Sequence, residues 1–142
     1  MKINSTDFTK IRIGDEYSKE YTITDFIYKS FLETFDDRNP LHIDSNYAID
    51  QGYKDKVMHG AILNGFLSHF VGTYFPGKNS LLLTVNIRYK AACYINDLIL
   101  LHAKVNQIEK NHQVIVLMVK YINKKSNNII ADGLINVMIR KS

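Results

Sequence analysis

The sequence predicts an α+β fold in which one curved antiparallel β-sheet wraps around a long central helix. Three observations carry this expectation. Residues 61–75, AILNGFLSHFVGTYF, place Ile62, Leu63, Phe66, Leu67, Phe70, Val71 and Tyr74 at the three–four spacing of a buried helix, stopped by Pro76-Gly77. From Leu81 onward the apolar period changes to two, in the segments SLLLTVNIRYKAACY, NDLILLHAKVNQIEK, HQVIVLMVKYIN and NIIADGLINVMIRK. Turn signals at Asn96-Asp97, Lys110-Asn111-His112 and Asn123 through Asn128 separate them. Finally, no repeat, low-complexity tract or Gly/Ser/Pro linker divides the 142 residues, so residues 1–142 are expected to form a single domain.

The remaining elements follow in order. Ile11 to Ile23, with a Gly14-Asp15 turn, reads as an arm and an edge strand. Thr24 or Asp25 is an N-cap for a helix from about Phe26 to Phe35, whose Phe26, Ile27, Phe31, Leu32 and Phe35 recur at helical spacing. That helix should end before Pro40, because the residue preceding a proline is pushed out of the α region. Asp44 or Ser45 caps a short helix through Tyr47-Ala48-Ile49, stopped by Gly52. The central helix carries apolar residues beyond one stripe, which predicts that it is enclosed on most sides. Its Gly65 and Gly72 are expected where another backbone packs closely. Asp132-Gly133 reads as a turn or bulge interrupting the last strand.

Hydrophobic residues make up 46% of the chain and charged residues 23%, the balance of a folded rather than a disordered protein. The opening MKINSTDFTKIRIGDEY lacks the apolar core of a signal peptide. Residues 61–75 are broken by Asn64, Ser68 and His69 and are too short to cross a bilayer, so a cytoplasmic protein with no membrane span is expected. A lone Cys93 excludes an internal disulfide and reads as a buried apolar residue. No Cys/His cluster has zinc-like spacing, so no metal is expected. The net charge of +4 comes from scattered lysines without an RNA-binding aromatic signature or a basic helix. It predicts no nucleic-acid partner, and it suits a phosphate-bearing small molecule.

Chemistry concentrates in DDRNPLHID, residues 36–44. If Asn39-Pro40 turns the chain, Asp37 and His42 face one space, and a carboxylate and an imidazole sharing a water form an acid–base pair once burial tunes their pKa values. The same residues also suit an ordinary helix-connecting turn. Seventeen positions after His42, His59-Gly60 opens the central helix. Free N–H groups at a helix start suit a carbonyl oxygen that becomes negative, although taken alone His59-Gly60 is better read as a steric accommodation at Gly60 and a packed polar His59. His69 and His102 have no acidic or thiol partner at ligand spacing, His112 falls in a turn, and none of the three carries assigned chemistry.

Taken together, FLETFDDRNPLHIDSNYAIDQGYKDKVMHGAILNGFL resembles the hydratase motif of MaoC-like proteins and (R)-specific enoyl-CoA hydratases. There an acidic residue, Asn-Pro, one spacer and a catalytic histidine precede a His-Gly that opens the central helix. TYFPGKNSLLLTVNIRYKAACYINDLILLHAKV is similar to the family's proline-glycine turn, first long strand and following hairpin. The resemblance implies a hotdog domain, forming a homodimer or a dimer of dimers. Its ligand would be an acyl thioester of coenzyme A or of acyl carrier protein, with phosphopantetheine entering only as part of the substrate and no other cofactor. It further implies reversible syn addition of water to a trans-2-enoyl thioester, giving the (R)-3-hydroxyacyl thioester. Asp37 and His42 would be the catalytic pair, the Gly60 N–H the carbonyl donor, Asn39 and Pro40 the supporting loop, and His59 a substrate contact.

Three departures stand out. The family usually has glycine where this chain has Asp36, a second carboxylate that either repels Asp37 or points to solvent, and Asn96 replaces the usual glycine before Asp97. The strand ending Arg88-Tyr89-Lys90-Ala91-Ala92-Cys93 also lacks a common proline. Two rival readings stay open: a hotdog acyl thioesterase, and a non-catalytic acyl-thioester-binding subunit.

Overall fold

The structure, a computed structural model, describes residues 1–141. Five strands and four helices follow in order: β1 (Glu16–Thr22), α1 (Asp25–Phe35), α2 (Pro40–Ile43), α3 (Ser45–Asp50), α4 (Ala61–His69), β2 (Ser80–Tyr89), β3 (Leu98–Glu109), β4 (Val114–Asn123) and β5 (Ile129–Ile139). The strands form one antiparallel sheet in the order β1-β3-β4-β5-β2. As expected, β1 is an edge strand, paired with β3 from Glu16 opposite Lys104 to Thr22 opposite Leu98.

The period of two decides which face of the sheet is buried. Ile99, Leu101, Ala103 and Val105 of β3 alternate inward, as do Ile115, Leu117, Val119 and Tyr121 of β4 and Ile135 and Val137 of β5. Against them lie Ile62, Leu63, Phe66, Leu67, Phe70 and Val71 of the central segment. Each such aliphatic or aromatic side chain contributes roughly 1.5–3 kcal/mol by leaving water. One polar bond crosses this core: the Tyr121 hydroxyl donates to the Leu63 carbonyl at 3.0 Å, joining helix to sheet.

The central helix differs from expectation in two ways. It widens to a π-helical turn at Phe70–Tyr74 before Pro76-Gly77 stops it. Nor is it enclosed on most sides: Ala61, Gly65, Ser68 and Gly72 form an exposed stripe. A Cβ built at Gly65 or Gly72 meets nothing within 4 Å, so neither glycine marks a close backbone approach. The close approach is elsewhere. At Gly133 a Cβ would lie 1.8 Å from the Asn86 carbonyl oxygen of the neighbouring strand. Accordingly Asp132-Gly133 does not interrupt β5. It pairs in register with Arg88 and Ile87, and the irregularity falls at Tyr121/Ile122 of β4 instead.

The segment before the central helix is more helical than a plain turn. Thr24 caps α1 by accepting from the Ile27 amide, and α1 ends at Asp36 in the left-handed region, φ 53°. Asn39 then caps α2, accepting from the Leu41 amide, with Pro40 at the first helical position. Proline is favoured there because the missing N–H would have had no helical partner.

Candidate active site

The expected site residues converge where α2, the start of α4 and the end of β2 meet. Three hydrogen bonds hold His42 and its backbone in place. Its ring Nδ1 donates to the Val57 carbonyl at 2.7 Å. Its own carbonyl accepts from the Tyr28 hydroxyl at 2.6 Å, and the Val57 amide donates to the Leu41 carbonyl at 2.8 Å. A carbonyl only accepts, so Nδ1 carries a proton, and in the corresponding neutral tautomer Nε2 presents its lone pair. That nitrogen faces Asp37 Oδ2 at 3.9 Å. The gap is too long for a direct hydrogen bond and suits one water held by both acceptors.

Asp37 is aimed by its own loop: its Oδ1 accepts from the Asn39 amide at 3.3 Å. The Asp37 side chain is 52% exposed and that of His42 18%, so this chain alone does not bury the carboxylate as the acid–base reading asked. Asp36 points away. Its side chain is 73% exposed and paired with Arg38, which leaves Asp37 without a carboxylate neighbour inside the site.

His59 lies behind the pair rather than on the cleft wall where a substrate contact was expected. It is 2% exposed, its Nε2 donates to the Asp37 carbonyl at 2.9 Å, and its ring packs on His42 with centroids 4.0 Å apart. Burial holds its pKa below the ordinary value, and His42 nearby adds to the effect. A neutral His59 follows, tying the backbone of Asp37 to the start of α4. Asp37, His42 and His59 also offer atoms within 4.8 Å of one another, a spacing that would seat a metal ion.

Gly60 caps α4 with φ −58°, a conformation open to any residue. Its reason is steric: a Cβ there would lie 3.1 Å from two ring carbons of Tyr89. The Gly60 N–H has no backbone acceptor among the described residues. His42, Gly60, Leu63, Tyr89 and Cys93 line one cleft of about 550 Å³. Cys93 is buried there, and its thiol is pushed up to about 12 by desolvation, which makes it inert at neutral pH.

Val57, Tyr28 and Tyr89 were not singled out from the sequence, because each acts through a contact across the fold. His69, His102 and His112 lie apart from the site, against Tyr21, Glu16 and Glu109. Among the described residues no helix is long and apolar enough to cross a membrane.

No family model matches the chain. The mitochondrial 3-hydroxyacyl-[acyl-carrier-protein] dehydratase of Arabidopsis thaliana is 23% identical over 127 residues, which are 88% of this chain and 75% of that protein. The (R)-specific enoyl-CoA hydratase of Rhodospirillum rubrum is 30% identical over 90 residues, 63% of this chain and 62% of that protein. The unliganded R-hydratase of Pseudomonas aeruginosa superposes with a TM-score of 0.88 at 18% identity, covering 99% of this chain and 89% of the other. The chain is similar to MaoC-like dehydratases and (R)-specific enoyl-CoA hydratases in sequence and in fold. At 18% identity the structural likeness carries the hotdog fold and nothing finer. The two positions where the resemblance led us to expect glycine share one backbone feature. Asp36 and Asn96 both sit at positive φ, 53° and 69°, where glycine is favoured and Asp or Asn is tolerated.

Proposed function

We propose that this MaoC-like protein is a hydro-lyase, adding water to trans-2-enoyl thioesters and removing it from (R)-3-hydroxyacyl thioesters. The observation that carries the reading is the opposition of Asp37 Oδ2 and His42 Nε2 at 3.9 Å, in the region where Gly60 offers an unpaired N–H. Two acceptors hold a water by its hydrogens and leave its lone pair to attack C3. The water's oxygen bonds to C3 as one of its protons passes to the pair. The C2–C3 π electrons move toward the carbonyl, whose oxygen gathers negative charge against the Gly60 amide. The pair then returns a proton to C2, so one H and one OH are added overall. Asp37 and His42 work as one acid–base unit, with Asn39 and Pro40 holding the loop and His59 the carboxylate's backbone. Bound acyl chain would cover the exposed Asp37 carboxylate and strengthen each of these interactions.

The same geometry supports a coenzyme A or acyl-carrier thioester as the ligand, and no further cofactor enters the scheme. A homodimer fits the edge strand β2, where Leu81, Leu83 and Val85 are exposed; light scattering should then report twice the 16.4 kDa chain. Incubation with crotonyl-CoA should bleach the enoyl-thioester absorbance without releasing thiol. Release of free thiol would instead identify a thioesterase, and no change at all with any enoyl thioester a binding subunit. Activity that survives a strong chelator assigns the Asp37, His42 and His59 cluster to proton chemistry; activity restored only by a divalent ion assigns it to a metal.

A further inference from the structure

We propose that the hydrogen-bonded pair Tyr89–Asn64 is an acyl-chain stop that makes this protein selective for short enoyl thioesters. The inference rests on the hydratase reading above and adds the substrate class.

Asn64 stands four residues beyond Gly60 on the central helix, so the two share a face about 6 Å apart along the axis. An extended acyl chain whose carbonyl is held at the Gly60 amide covers that distance in roughly its first five carbons. There it meets Asn64, whose Oδ1 accepts from the Tyr89 hydroxyl at 3.0 Å. The Tyr89 ring itself lies against Gly60, where a Cβ would come within 3.1 Å of it, so the aromatic side chain roofs the carbonyl site and its hydroxyl closes the far end.

Space continues behind the stop. A second cleft of about 740 Å³ runs between α1 and α4, lined by Phe31, Phe35, Ile62, Gly65 and Phe66, with Asn64 on its wall. Ala61 lines both clefts, while Tyr89 belongs to the first and Asn64 to the second. Their hydrogen bond therefore marks the boundary between the reacting end and an apolar cleft able to take a longer chain. Tyr89 is half exposed, and a chain that passes from one cleft to the other along this helix face displaces the polar pair and places methylenes against it, which disfavours binding of longer substrates.

The test is a chain-length series on the full-length protein: crotonyl-, hexenoyl-, octenoyl- and decenoyl-CoA, read as kcat/KM. The parent should favour the two shorter substrates by about tenfold or more. Asn64→Ala removes the stop and should raise octenoyl- and decenoyl-CoA kcat/KM by roughly 15-fold for each two methylenes newly buried, at about fourfold each, with crotonyl-CoA changed little. Tyr89→Phe, which keeps the ring and loses the hydroxyl, should give the same shift in smaller degree. Adding Gly65→Leu to Asn64→Ala refills the second cleft, since a side chain there starts in open space, and should cancel the long-chain gain alone. Thermal melts identify any variant that fails to fold, in which case the Tyr89→Phe profile decides. Crotonyl-CoA turnover with an unaltered length profile in the folded variants overturns the stop and leaves the hydratase reading standing. Absence of hydration at every chain length overturns both.

Discussion

The two faces of the central helix contrast sharply. Toward the sheet it presents Ile62, Leu63, Phe66 and Leu67, all buried, while outward it presents the less buried Ala61, Asn64, Gly65 and Ser68. The inner face is built from volume and the outer from room: small or polar side chains, an unpaired amide at Gly60 and two adjoining clefts. A helix sealed on both sides would be more stable and would have no place for a ligand. Changes on the two faces should therefore fail in different ways, inner ones in stability and outer ones in rate.

The largest effect belongs to the acid–base pair. Asp37→Asn or His42→Ala should each lower hydratase turnover by about 10²–10⁴-fold, with the melting temperature nearly unchanged. The double variant should be little worse than either, because the two act as one unit. Near-parental turnover in either single variant would remove the pair from the mechanism. On the inner face, Leu67→Ala should cost about 2–5 kcal/mol in a denaturant titration, leaving a cavity between helix and sheet. If it retains parental stability, the core assignment of that face is wrong.

His59 links the faces, and its pH behaviour is diagnostic. Buried and neutral, it binds fewer protons folded than unfolded, so stability is full above its ordinary 6.5 and is lost as pH falls toward the depressed folded value. His59→Gln keeps a donor toward the Asp37 carbonyl and does not titrate, so it should flatten this acid-side loss in melts taken across pH. His59→Leu removes the donor and should lower kcat by roughly ten- to hundredfold, with Gln restoring most of it. A Gln variant that loses stability in acid as steeply as the parent would locate the titration elsewhere.

Much of this was legible beforehand. The alternation after Leu81 and the Thr24-capped helix appear as read, because local spacing determines them. Asp37 and His42 meet because Asn39-Pro40 starts a helical turn, a slightly different device from the plain turn expected. What escaped was set across the fold. Gly65 and Gly133 look alike as letters, yet one faces a cleft and the other a carbonyl oxygen 1.8 Å from where its Cβ would be. His59 is adjacent to Gly60 in sequence, but only the packing shows it turned toward the backbone of Asp37. The roles of Tyr89 and Asn64 depend on a contact spanning 25 residues.

Gly65 shows how little the outer face gives the fold. With open space at its Cβ, Gly65→Ala should stabilise the protein by about 0.5–1 kcal/mol through helix propensity. Destabilisation would mean that this face is packed against something.

The smallest effect should come from Asp36, the residue directly beside the proposed catalytic carboxylate of Asp37. Its φ of 53° is one that glycine adopts freely, and its exposed carboxylate engages Arg38. Asp36→Gly relieves the left-handed strain, frees the unfolded chain and removes one exposed ion pair; these terms are each about 1 kcal/mol or less and oppose one another. Stability should stay within about 0.5 kcal/mol, and the pH profile of turnover should not move. A shift of that profile would show that the Asp36 charge reaches Asp37 after all. The two adjacent aspartates would then be one electrostatic unit, whereas the geometry assigns one to the backbone turn and the other to the water.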